Sequence, residues 1–161
     1  MSKKLYILHE CGSFGEADDK TIIEESIRIA ERKVHSRKLM NNPRDAKQTL
    51  AALLAHKEHE VFCVAHLDKR HRLIKFEQMF RGTVDGASVH PREVVKQALA
   101  LNSAAVIFVH NHPSGVAEPS QPDELITMHL KKALELVDIR VLDHLIVAGA
   151  NVVSFAERGM I

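Results

Sequence analysis

Residues 104–109, Ala104-Ala105-Val106-Ile107-Phe108-Val109, form an unbroken apolar run of strand length. It stops abruptly at His110-Asn111-His112-Pro113-Ser114-Gly115. A strand with no polar alternation has no face to give to water, so it belongs in the middle of a sheet with both faces covered. The segments around it supply the covering layers. Residues 44–56, 91–101 and 123–137 space their apolar side chains three and four apart, as amphipathic helices do. The first places Ala46, Leu50, Leu53 and Leu54 inward, the second Val94, Val95, Ala98 and Leu99, and the third Leu125, Ile126, Leu130, Ala133, Leu134 and Val137.

Between these helices, residues 60–67 and 73–80 read as a hairpin around the charged turn Asp68-Lys69-Arg70-His71-Arg72, and residues 139–148 and 152–155 as two further strands joined at Gly149-Ala150-Asn151. Strands alternate with helices, so the expected class is α/β: a single domain with a mixed β-sheet flanked by helices. Residues 1–42 read as an extension, with a short strand at 4–9, a turn marked by Gly12 and Gly15, and a helix from Asp19 to about Met40 that Asn41-Asn42-Pro43 ends. The main domain is expected over 43–161.

At 161 residues the chain has the length of one domain, and its formal net charge of +1 gives no bulk field for holding nucleic acid. Nucleic-acid binding is therefore expected to be weak at most. Cys11 and Cys63 are too few for a disulfide framework. No apolar run reaches the ~20 residues that cross a bilayer, and the N-terminus lacks a signal-peptide pattern. The expected compartment is the cytoplasm.

The chemistry concentrates where the apolar run ends. In extended backbone, i and i+2 point to one side, so the imidazoles of His110 and His112 can converge on one ion. Asp123 follows eleven residues after His112, at the head of the next helix. Two imidazoles, one carboxylate and an open fourth position make the pattern of a catalytic zinc site. A plainer reading competes for part of it, because Ser120-Gln121-Pro122-Asp123 is also a capping box that needs no metal. That reading leaves the two histidines unexplained.

The string His110-Asn111-His112-Pro113, followed by six residues, Ser120, two more and Asp123, resembles the JAMM (MPN-plus) metalloprotease motif. The flanks HNHPSG and PSQPD, the later LDHLIV and SFAERG, and GTVDGASVHPREVVKQALALNSAAVIFVHNHPSG are similar to the RadC-like branch of that superfamily. The likeness runs from about Pro43 to Ile161. It implies the short form, without the helix-hairpin-helix region of other members, on a cytidine-deaminase-like α/β fold. It further implies a zinc-dependent hydrolase of peptide or isopeptide bonds in which His110, His112 and Asp123 ligate Zn²⁺ and a water is the fourth ligand. Ser120 would donate to the developing oxyanion. Glu60 would be general acid/base, with Glu58 and Glu93 as competitors for that role. The substrate would be a protein or peptide.

Other patterns carry less. His56 and His59 fit neither HExxH nor HxxEH and are expected at the surface of a helix end. The letters HNH do not make an HNH nuclease, whose residues spread over a ββα unit. A deaminase would need a PCxxC element, which neither cysteine provides. Lys69, Arg70, His71 and Arg72 suit a solvated hairpin tip. Asp143-His144 suits either a partner of a ligand histidine or a pair at the core edge. The alternative function is a DNA-repair-associated accessory factor without hydrolytic activity.

Overall fold

The computed structural model describes residues 4–8, 10–35, 42–82 and 89–161. Among them, a five-stranded mixed sheet carries four helices, giving the expected α/β class. The elements in chain order are β1 (Tyr6–Leu8), β2 (Phe14–Glu16), α1 (Asp19–His35), α2 (Pro43–Leu54), β3 (Val61–Leu67) and β4 (Leu73–Arg81). They continue with α3 (Pro91–Ala100), β5 (Ala105–Asn111), α4 (Gln121–Glu135), β6 (Arg140–Ala148) and β7 (Asn151–Ser154).

The main sheet runs in the order β4-β3-β5-β6-β7. Only β5 and β6 are parallel, and α4 is the crossover between them. The apolar run is accordingly the central strand, and all seven residues of β5 are buried. Its alternation divides the core. Ala105, Ile107 and Val109 face one cluster with Leu50 and Leu54 of α2, while Val106 and Phe108 face another with Val94 and Ala98 of α3 and Leu130 and Leu134 of α4. Each face of the sheet is thus closed by helices, which removes all of these side chains from water. Helix α1 adds buried Ala30 and half-buried Val34, the latter packed against the α2 side.

The boundaries differ from the sequence expectation in ways that matter for the site. The central strand does not stop at Val109; it runs through Asn111, and even His112 N–H still donates to Val147 O of β6 at 2.8 Å. His110 is therefore held in the sheet ladder and not in a loop. Asp143 and His144 lie within β6, inside the strand expected over 139–148. Helix α4 begins at Gln121 with Ser120 as N-cap, and ends at Glu135. Gly15, expected in a turn, sits in β2, whereas Gly12 takes φ +82° in the turn before it. Helix α1 is described to His35, and the rest of its expected span, with residues 83–88 of the quoted GTVDGASVH string, lies outside the described residues.

Candidate metal centre

His110, one residue before the end of β5, lies on the α4 side of the sheet, next to Phe62 of β3 and Phe108. His112 follows on the same side, as the two-residue period requires. Gly115, at φ +81°, then turns the chain, its N–H donating to His112 O at 3.1 Å. Proline enters again at Pro122 in the first turn of α4, where a missing N–H costs nothing. The right-handed return of a parallel crossover brings the helix start back to the carboxyl end of the strand it left. Asp123, in the first turn, lands opposite both imidazoles.

The candidate ligand atoms of these three residues lie close together. His110 Nε2 and His112 Nε2 are 2.9 Å apart, Asp123 Oδ1 is 3.2 Å from His110 Nε2, and Asp123 Oδ2 is 3.4 Å from His112 Nε2. Ligands about 2.0–2.1 Å from a tetrahedral ion stand about 3.3 Å from one another, so the cluster has the size such an ion requires. Its chemistry fits as well. His112 Nδ1 lies 2.8 Å from Val116 O, which can only accept, so the proton of His112 is on Nδ1 and Nε2 offers a lone pair to the centre. Imidazole and carboxylate lone pairs pointed at one another are satisfied by a cation.

Electrostatics follow from the same contacts. Burial opposes ionisation of Asp123, but the neighbouring His110 and His112 rings and the Ser120 hydroxyl outweigh burial and hold the carboxyl well below the usual range. The Asp123 carboxylate beside Nε2 favours a second proton there and so raises His112, against its own partial burial. Burial pushes His144, fully enclosed, far below its ordinary value, and neighbouring His110 adds to this.

Capping and ligation turn out to be compatible readings of one side chain. Ser120 N–H and O–H both donate to Asp123 Oδ2, at 2.8 and 2.6 Å, and Asp123 N–H returns a bond to Ser120 Oγ at 3.3 Å, completing the capping box. The cap thereby fixes the rotamer that aims Asp123 at the histidines, and the helix N-terminus favours its negative charge. The single hydroxyl hydrogen of Ser120 rests on Asp123, while the residue itself also lines the adjoining pocket.

That pocket, about 300 Å³, is bounded by the three candidate ligands together with Glu60, Phe62 and Ile126. Glu60, half-buried just before β3, is thus brought to the centre, and its charge reaches His112. Glu58 is exposed, and Glu93 of α3 lies 3.3 Å from Arg92; neither lines the pocket. His56 is exposed as expected, but His59 is half-buried and its carbonyl is engaged by Asn111. At the hairpin tip, Asp68 binds Arg72 Nε at 2.7 Å and accepts from two backbone N–H groups of the turn.

Two contributors, Asn111 and Thr127, had no role assigned to them from the sequence. Asn111, between the histidines, accepts from Val61 N–H at 2.9 Å and donates to Lys57 O and His59 O, fixing the segment that holds Glu60. Thr127, one turn after Asp123, contacts His144, which in turn contacts His110. The alternation rule places Asn111 off the histidine side, which was the one available signal for it.

Fold and site together define an α/β protein with two histidines and a carboxylate, able to hold a metal ion, at the carboxyl end of its central strand. The RadC-like JAB domain family matches residues 40–160, and the chain belongs to that family. A UPF0758 protein of Methylibium petroleiphilum is 58% identical over 139 residues, covering 84% of this chain and 63% of that protein. One of Thioalkalivibrio sulfidiphilus is 62% identical over 122 residues, 76% of this chain and 54% of the relative. One of Vibrio cholerae serotype O1 is 54% identical over 143 residues, 89% of this chain and 90% of the relative. The chain thus spans from just over half to almost two thirds of the length of several relatives. No helix among the described residues is long and apolar enough to cross a membrane.

Proposed function

We propose that this chain is a zinc-dependent hydrolase of peptide or isopeptide bonds, working in the cytoplasm on a protein or peptide substrate. One observation carries the reading: Glu60, a carboxylate outside the cluster of His110, His112 and Asp123 sized for a tetrahedral ion, shares a pocket with that cluster. Metal retention alone would need no such fourth group. The donor set of two imidazoles and one carboxylate favours Zn²⁺ with a position left open.

When bound, the ion supplies Lewis acidity, lowering the pKa of water and polarising the carbonyl under attack. The chain's own residues do the rest. Glu60 takes the proton of the attacking water on a carboxylate oxygen and returns it to the leaving amine. Ser120 turns its hydroxyl from Asp123 to the oxygen that gains charge, while its backbone N–H continues to hold the carboxylate. Phe62 and Ile126 make the pocket wall apolar and limit access of water.

The test is Glu60→Gln, with zinc measured by elemental analysis and cleavage on a panel of fluorogenic peptide and isopeptide substrates. Zinc should remain at one per chain while turnover falls by roughly 10²–10⁴-fold. Wild-type turnover in the variant would remove Glu60 from the mechanism. Tight, chelator-sensitive DNA binding without any cleavage would replace the hydrolase with the accessory-factor reading.

A further inference from the structure

The two candidate histidine ligands acquire their proton positions by different routes. For His112 the route is one step, from Nδ1–H to the carbonyl of Val116. His110 sits in the ladder of β5, where neighbouring backbone carbonyls serve the sheet, and its Nδ1 meets a side chain instead: His144 Nε2, at 2.8 Å. His144 Nδ1 in turn lies 2.6 Å from Thr127 Oγ1, and Thr127 Oγ1 lies 2.6 Å from Asp123 O.

We propose that Thr127, acting through His144, is the positioning residue that fixes His110 in the tautomer able to bind the metal. A carbonyl only accepts, so the one hydroxyl hydrogen of Thr127 goes to Asp123 O. The bond from His144 Nδ1 to the same oxygen must then be donated by His144. His144 is fully buried among Phe62, Phe108 and Phe155, where a neutral ring is favoured, so its second nitrogen has no hydrogen and accepts. His110 Nδ1 therefore carries its proton, and His110 Nε2 presents a lone pair toward His112 and Asp123. The relay starts at the carbonyl of the residue whose carboxylate faces the same centre, so α4 sets both a ligand and a ligand's tautomer.

The inference rests on the metal-centre reading above, but its first test does not need the metal. In the chelated 161-residue chain, long-range ¹H–¹⁵N NMR should show both His110 and His112 protonated at Nδ1. Thr127→Val keeps the side-chain shape and removes the hydroxyl; His110 should then populate the Nε2–H form while His112 stays unchanged. Zinc affinity, from competition with a chromophoric chelator, should fall by roughly 10–100-fold, the scale for losing a group that orients a ligand. Thr127→Ser should restore both readouts. A purely structural role would lower the melting temperature of Thr127→Val and leave tautomer and affinity alone, which overturns the proposal. Wild-type His110 protonated at Nε2 overturns it without any variant. The expected tautomers in a wild-type protein that binds no zinc would sustain the relay and refute the metal reading.

Discussion

Asp123→Asn separates the two duties of the side chain that joins helix α4 to the metal centre. An asparagine of the same shape keeps its oxygen on Ser120, where Oδ2 now accepts at 2.8 and 2.6 Å. Its NH₂ group then replaces Oδ1, which stands 3.2 Å from His110 Nε2. With both imidazoles protonated at Nδ1, the amide meets an accepting nitrogen and supplies the donor that the carboxylate lacks. That hydrogen bond contributes about 0.5–1.5 kcal/mol, against about 0.3–1 kcal/mol for the lost charge at the helix N-terminus. The metal-free variant should thus match the wild type within about 1 kcal/mol, or about 2–4 °C for a domain of this length. The response to zinc should differ sharply. At a hundred times Kd a bound ion stabilises the wild type by about 2.7 kcal/mol, a shift of about 5–11 °C, and the variant should show none. Scanning calorimetry with and without zinc, and elemental analysis after gel filtration, read both effects. A zinc shift surviving in Asp123→Asn would refute ligation by Asp123. A chelated variant melting more than about 10 °C below wild type would refute the hydrogen-bond geometry.

Ser120→Ala should lose about 1 kcal/mol of stability through the cap and about 10²–10³-fold in kcat at full zinc occupancy through the oxyanion contact; a loss of melting temperature alone would confine Ser120 to the cap. His66 provides a pH prediction away from the centre. It is fully buried, bonded through Nδ1 to Ser103 Oγ at 3.1 Å, and its Nε2 stands 3.3 Å from Glu77 Oε1 with neither atom hydrogen-bonded. Burial lowers its pKa from 6.5 to about 4, with Glu77 opposing and Lys75 assisting. The unfolded chain therefore takes up a proton that the folded chain refuses across this window. Stability is complete above pH 6.5 and falls as the pH drops toward 4, by up to about 3 kcal/mol. Urea midpoints across that range should lose this component in His66→Gln, and equal slopes for the two proteins would contradict the assignment.

The sequence by itself determined what is local. An apolar run without alternation had to be a covered central strand, and β5 is buried on both faces. The i, i+2 spacing put His110 and His112 on one side, and the capping box placed Ser120 and Asp123 at the start of α4. Each of these depends on backbone periodicity or on contacts within one helical turn, which a linear string displays directly. Tertiary structure decided the rest. Glu60 reaches the pocket only because β3 pairs antiparallel to β5 in a register that sets Phe62 opposite His110. Asn111 secures that segment across a separation of fifty residues. The path from Thr127 through His144 to His110 crosses from a helix to one strand and then to another. No periodicity marks such contacts, because they arise from strand register and packing between segments distant in the chain, where a shift of one residue would turn each side chain to the opposite face.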